Sequence, residues 1–239
     1  MSYYLLKGLG FNQTKGKRLY TNINEVVPIL EKEGIHVNDP WDVVDGFEQL
    51  VANYAGSNYA ISCDSCTNAM YMCLKYLGAE GDIEIPKRTY ISVPGLIIHA
   101  DCSPKFKDIE WSGTYLLNPY PVVDGATRFS KGMYKKGTFH CLSFHLKKIL
   151  QIGKGGMILT DDKKAANWFK LARYEGRDNR VPHKDISDIE IIGWNYYMPP
   201  EQAARGIQLF KKLSEKNPDS GGSWSYADIS SYSAWSKVK

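Results

Sequence analysis

Apolar residues recur along this chain with two periods, and the points where the period changes mark out its elements. Residues 40–55, PWDVVDGFEQLVANYA, set Val43, Val44, Phe47, Leu50, Val51 and Tyr54 at helical spacing, and Gly56 follows as a stop. Residues 23–34, INEVVPILEKEG, read as a shorter helix with Pro28 near its first turn and Gly34 at its end. Runs at 59–62 (YAIS), 83–86 (IEIP), 137–144 (GTFHCLSF) and 155–162 (GGMILTDD) read as strands. TYLLNPYPVVDGAT holds further strand runs that end at Asp124. Helices are expected from about Asn68 to Leu77, in SVPGLIIHAD, over 163–176, and over 199–213 with proline in the first turn. No internal repeat interrupts this order. Strands alternating with helices indicate an α/β sheet with helices packed on it. From Ser214 the composition shifts to Ser, Gly, Tyr and Trp. A floppy end is one reading of that stretch; its aromatics favour a segment that packs on the body or on a partner chain.

Composition changes this picture little but excludes several classes. The chain has 239 residues, 43% hydrophobic and 23% charged, with 30 basic and 26 acidic residues for a net charge of +4. That weak imbalance, with no strong basic tract, gives nucleic-acid binding no support. No apolar run approaches the length of a bilayer span. The start, MSYYLLKGLGFNQTKGKRLY, lacks the basic-then-apolar order of a secretory signal, so a cytoplasmic protein is expected. Five cysteines do not suit a disulfide framework. Cys63 and Cys66 form a C-x-x-C, open to a redox pair or half a zinc site. No second ligand pair follows at matching spacing, and ordinary reduced thiols are the plainer reading.

Three stretches carry candidate chemistry. In SCTNAM a strand runs through small polar residues into a helix. The free N–H groups and dipole of a helix start attract anions, and Ser65 and Thr67 add hydroxyls, so the turn suits a phosphate. Plain helix capping is the alternative. In VVDG, Asp124 ends an apolar run, where open α/β sheets hold ligands; a turn aspartate is the alternative. In SFHLKKILQIGKGG, Gly153-Lys154 precedes a strand rather than a helix, so a nucleotide-phosphate loop of the Walker type is excluded.

Together these stretches resemble the DegT/DnrJ/EryC1/StrS family of pyridoxal-phosphate-dependent sugar aminotransferases, of fold type I. Five blocks carry the resemblance in order: FEQLVANYAGSNYAISCDSCTNAMYMCLKYLG, IPKRTYIS, VVDGAT, SFHLKKILQIGKGGMILTDD and IGWNYYMPPEQAARGIQLFKKL. They run from about residue 40 to 213. The resemblance implies a mixed, mostly parallel sheet with helices on both faces. It implies a large domain over 1–213, with a lead-in to about residue 40, and a short tail over 214–239 where the family has a small domain.

The resemblance also assigns roles. Lys148, five residues after Ser143, takes the place of the lysine that binds the cofactor aldehyde. Asp124 takes the place of the acid opposite the pyridine nitrogen. Tyr90 stacks on the ring, Cys66 and Thr67 lie on the phosphate turn, and Ser143 is a second phosphate ligand. Asn195 resembles the residue that reaches the cofactor of the neighbouring subunit, implying a homodimer with shared sites. The implied reaction moves an amino group from an amino acid, glutamate in the family, to a keto sugar on a nucleotide.

Departures from the pattern are also evident. Cys66 stands at a usual glycine. Thr127, also placed among the cofactor-binding residues by the resemblance, replaces the glutamine that contacts the ring hydroxyl. Tyr197 replaces an arginine, and Pro199 a Ser or Thr. The stretch from Tyr90 to Asp124 is short by about a strand and a helix. A catalytically degenerate protein of the same fold, acting as a binding or assembly partner, is the alternative these departures raise. His145 has no assigned role, and Lys147 and Lys154 read as surface charge.

Overall fold

The computed structural model describes residues 23–236. The stretch read for a leader and the first half of the lead-in lie outside those residues.

Helix α1 (Val27–Lys32) and helix α2 (Pro40–Ala55) open the described chain. The start of α2 is set locally: the Asp39 carboxylate accepts from Trp41 N–H at 2.7 Å, and Asp42 Oδ2 accepts from Asp39 N–H at 2.9 Å. Gly56, at φ +85°, ends α2 in a conformation other residues adopt at a cost. Then follow β1 (Tyr59–Cys63), α3 (Cys66–Tyr76), β2 (Asp82–Pro86), α4 (Ser92–His99), β3 (Ser103–Lys107), β4 (Tyr115–Leu116) and β5 (Val122–Asp124). The described elements close with β6 (Phe139–Ser143), β7 (Gly156–Thr160), α5 (Lys163–Ala172) and α6 (Pro200–Phe210), besides short 3-10 turns.

Five strands form a sheet in the order β1-β7-β6-β5-β4, and β2 and β3 pair in parallel beside it. Glu84 and Asn118 exchange backbone hydrogen bonds of 2.8 and 3.2 Å, which join the two sheets. Following the pairings across that joint, β1, β2, β3, β5 and β6 run one way and β4 and β7 the other. The sheet is therefore mixed with most strands in one direction, as expected. Helices cover both faces. Ile61, Cys141 and Ile158 point into a core shared with α3, α4 and α5. Their neighbours Ala60, Leu142 and Leu159 point into a second core with α1, α2 and α6.

Strand β3 was not legible as a strand. SPKFK alternates lysines with Pro104 and Phe106, and it pairs only with β2. Proline and lysine suit such an edge, where they also blunt pairing with other chains. The short stretch before Asp124 takes a definite form: β4 and β5 are joined through 117–121 as a hairpin, with Leu117 N–H on Val122 O at 2.9 Å and no helix between.

One polar group sits inside the second layer. Arg173 donates to Glu48 and to the Ser62 carbonyl (2.7 Å), while Ser62 N–H and Oγ donate to Glu48 Oε1, each at 2.8 Å. All three residues are buried. Helix α5 stops at Ala172, short of the expected 176, because this arginine and the Glu175–Gly176 turn take over. A Cβ on Gly176 would fall 2.0 Å from the Ile191 carbonyl oxygen.

The segment from Ser214 packs on the body. Asp219 accepts from Arg128 Nε (2.8 Å), Arg128 Nη2 (2.7 Å) and Ser112 Oγ (2.7 Å). Trp235 packs near Phe106, and Ile229 is buried.

Candidate active site

Strands β1, β2, β5 and β6 end on one side of the sheet, and the chain beyond each of those ends lines a single cavity of about 570 Å³. This is where open α/β sheets hold ligands. After β1 come Ser65, Cys66 and Thr67; after β2 come Thr89 and Tyr90; β5 ends at Asp124, with Thr127 beyond; β6 ends at Ser143, with Lys148 beyond. Seven of the eight residues singled out for a cofactor thus meet in one place, although they are spread over 83 positions, from 66 to 148.

Helix α3 begins at Cys66, two residues before the expected start. Ser65 Oγ caps it by accepting from Asn68 N–H at 3.1 Å, so the capping role is present. That leaves the leading N–H groups of the helix and the Thr67 hydroxyl, which lies 2.7 Å from Ser92 Oγ, on the cavity wall. The glycines of GKGG bring β7 against this turn. A Cβ on Gly156 would fall 2.3 Å from the Ser65 carbonyl carbon and 2.5 Å from Cys66 N. Gly153 and Gly155, at φ +126° and +151°, turn the chain into the strand. They are close-packing and turn positions.

Asp124 is 5% exposed. Its Oδ1 accepts from Ala126 N–H at 2.9 Å and faces the Cys66 thiol at 4.0 Å, and its Oδ2 accepts from the Tyr115 hydroxyl at 2.6 Å. Burial pushes its pKa above the usual carboxylate value, opposed by the Tyr115 and Ala126 hydrogen bonds and the Lys148 charge. Burial likewise pushes up the Cys66 thiol and the Tyr115 phenol. Of the three lysines on the wall, Lys148 is half-buried and is the one whose charge acts on Asp124 and Cys66. Lys147 and Lys154 stand exposed at the rim, Lys154 within 3.4 Å of Asp64. His145 is also at the rim, its Nδ1 accepting from Lys147 N–H at 3.3 Å.

Thr127 is also tied to the C-terminal segment. It lines the cavity, but its hydroxyl proton goes to the carbonyls of Gly221 (2.9 Å) and Gly113 (3.1 Å). It ties the C-terminal segment to the body. Asn195 lies outside this chain's cavity, exposed, donating to Glu175 Oε1 at 3.0 Å. Tyr197 packs between Trp41 and Tyr174, with ring centroids 5.5 and 4.9 Å away.

Several lining residues were not anticipated: Thr89, Ser92, Trp111, and Ser220, Ser225 and Tyr226 of the tail. Tyr226 stacks on Trp111 at 5.6 Å and stands edge-on to Tyr90 at 6.5 Å. The aromatic richness of the tail was its one sequence signal. All five cysteines are buried and unbridged. His140, on β6, is 3% exposed; among the described residues neither ring nitrogen has a partner, and burial lowers its pKa to about 4.

Comparison with known proteins agrees with this geometry. The model of the DegT/DnrJ/EryC1/StrS aminotransferase family matches residues 21–135 and 125–221. An uncharacterized protein of Methanocaldococcus jannaschii is 27% identical over 241 aligned positions, covering 80% of this chain and 61% of that protein. GDP-perosamine synthase of Caulobacter vibrioides is 26% identical over 213, covering 71% of this chain and 56% of that protein. The chain thus spans about three-fifths of the length of the curated relatives it matches. Among solved structures, AtS13 of Actinomadura melliaura superposes with a TM-score of 0.65 at 17% identity, over 82% of this chain and 66% of that one. A DegT DnrJ EryC1 StrS aminotransferase of Brucella abortus gives 0.58 at 18%, over 79% and 63%.

Proposed function

Because the chain belongs to the DegT/DnrJ/EryC1/StrS aminotransferase family, we propose that it is a pyridoxal-phosphate-dependent aminotransferase that moves an amino group from an amino acid, glutamate, to a keto sugar carried on a nucleotide. The observation that carries this reading is the convergence of a lysine, a buried carboxylate and a hydroxyl-lined helix start on one cavity. The donor set fits the cofactor. The first turn of α3 with Thr67 and Ser143 suits a phosphate. Asp124 offers a negative charge to a protonated ring nitrogen, Tyr90 a ring face, and Lys148 an amine to hold an aldehyde. Bound there, pyridoxal 5′-phosphate supplies an electron sink for the carbon that loses a proton.

The protein's own part follows from these groups. Lys148 Nζ would hold the cofactor and, when not bonded to it, would take the proton from the substrate carbon and return it. Nζ must be neutral to do so. Two hydrogen bonds favour the charged form of Asp124 against burial. Trp111 and Tyr226 wall the cavity from water on the tail side.

A homodimer is part of the same proposal. Tyr90, Ile91 and Leu146 are large, exposed apolar residues in and beside the cavity wall, a surface suited to a second copy. Asn195, on the outside of its own chain, would then serve the partner's site. A cytoplasmic location belongs to the proposal too; among the described residues, no helix is long and apolar enough to cross a membrane.

The test is direct. After incubation with pyridoxal 5′-phosphate and borohydride reduction, the cofactor is expected on the peptide containing Lys148. Label elsewhere, or no uptake, overturns the reading. The commitment of the Thr127 hydroxyl to the tail favours a second reading, a degenerate protein that binds the cofactor without turning over. Rapid conversion of the bound cofactor to its amine form by glutamate, seen by stopped-flow absorbance, would refute that one.

A further inference from the structure

Asp124 has a partner that none of the roles above employs. Tyr115, at the start of β4, donates to Asp124 Oδ2 at 2.6 Å, and its oxygen lies 2.5 Å from Thr89 Oγ1. Proton counting orders the chain. An ionised carboxylate has no proton to give, so the single proton of the Tyr115 hydroxyl points at Oδ2. The short contact with Thr89 must then run from the threonine to the tyrosine oxygen. The tyrosine ring is itself fixed, edge-on to Trp111 at 4.8 Å. Of the two carboxylate oxygens, Oδ2 is thus taken, and Oδ1 remains beside Cys66 and the cavity.

We propose that Tyr115 is a positioning residue: its hydroxyl, oriented by Thr89, aims the Asp124 carboxylate into the cavity and stabilises its charge there. This rests on the cofactor reading above, since that charge matters only against a protonated ring nitrogen. A carboxylate buried in this core favours its neutral form, and a neutral acid could not hold a cationic ring. The titratable groups around it are Cys66 on α3, Cys141 on β6, Tyr115 on β4, Tyr226 in the tail and Lys148 after β6. Burial raises both thiols and both phenols, Tyr226 to about 12, so they stay protonated near neutral pH. Lys148 then supplies the one other charge in this group. A charge-assisted hydrogen bond from Tyr115 is therefore a main support of the ionised form.

The experiment is a titration of the apo protein with pyridoxal 5′-phosphate, followed by absorbance, from neutral to acidic pH. Wild type, Tyr115→Phe and Thr89→Val are compared. Tyr115→Phe keeps the ring and removes the donor. Its affinity at neutral pH is expected to fall about tenfold or more, and the acid-side loss of affinity to begin at higher pH than in wild type. Thr89→Val is expected to move the acid limb in the same direction by less, and it carries the test should Tyr115→Phe fail to fold. Wild-type-like limbs in both variants overturn the proposal. So does a loss of affinity equal at every pH, the signature of a merely structural tyrosine. Wild type that binds no cofactor would instead overturn the function proposed above.

Discussion

Gly156→Ala is the substitution for which the structure gives the sharpest expectation. The added Cβ would lie 2.3 Å from the Ser65 carbonyl carbon, 2.4 Å from its oxygen and 2.5 Å from Cys66 N. Ordinary carbon contacts begin near ~3.5 Å, so the turn or the strand must retreat by about 1 Å. Neither can do so freely. Gly156 pairs with Cys63 on β1 and Ser143 on β6, and Ser65 caps α3. No flexible side chain absorbs the clash, so the cost should fall at the upper end of overpacking, about 2–3 kcal/mol. For a domain of this size that lowers Tm by roughly 4–12 °C, measured by calorimetry. Because the displaced turn carries Cys66 and Thr67, affinity for pyridoxal 5′-phosphate is expected to fall about tenfold or more, the equivalent of one lost charged hydrogen bond. Gly153→Ala is the control. It strains a residue at φ +126° but meets only Leu146 Cδ2 at 4.0 Å, so it should cost stability, about 1 kcal/mol, and leave affinity alone. If Gly156→Ala unfolds within about 0.5 kcal/mol of wild type and binds cofactor normally, the reasoning from this close approach is wrong.

Three further outcomes are expected. Arg173→Met leaves the Glu48 carboxylate buried with only Ser62 and, at 3.7 Å, Lys170 for company, and should cost about 3–5 kcal/mol in urea unfolding. Adding Glu48→Leu should recover most of that, and a double variant no more stable than the single one would contradict the buried-pair account. His140 has its folded pKa lowered to about 4 against an ordinary 6.5, so between those values the unfolded chain holds the extra proton. Stability from this group is therefore complete above pH 6.5 and is lost as pH falls towards 4. The loss at pH 5 is about 2 kcal/mol, and pH-dependent unfolding of His140→Leu should lack this limb; the same acid slope in both proteins would rule it out. Asp219→Asn weakens the bidentate Arg128 latch, partly exposed and so worth about 1 kcal/mol. Limited proteolysis within 214–236 should speed up several-fold, and an unchanged rate would mean that the other tail contacts hold it alone.

The legibility of the site in the sequence was uneven for physical reasons. Residues that follow strand ends were readable, because apolar runs ending in polar or small residues mark those ends: Thr67, Asp124 and Ser143 all lie there. Lys148 was assigned through its register to Ser143; the structure places it half-buried on the cavity wall, where its charge acts on Asp124. The tie from Thr127 to the tail was not legible, since its local context carries no trace of Gly221, 94 positions away. Tyr115 looked like one more apolar strand residue, and its hydroxyl acquires a partner only when β4 folds back on β5. Strand β3 escaped because an edge strand needs no continuous apolar run.

The amino-acid order alone determined the alternation of strands and helices, the boundaries of α2, the stop at Gly56, and that GKGG leads into a strand. These depend on local periods, capping groups and backbone freedom, all readable within a few residues. It also carried the five blocks by which the family is recognised. Only the tertiary structure decided how the tail lines the cavity, which oxygen of Asp124 meets Tyr115, that Thr127 also holds the tail, and that His140 lies in the core without a partner among the described residues. Those are contacts between positions tens of residues apart. Their free energy depends on burial and on which hydrogen-bond partners arrive together, and neither exists until the sheet has formed.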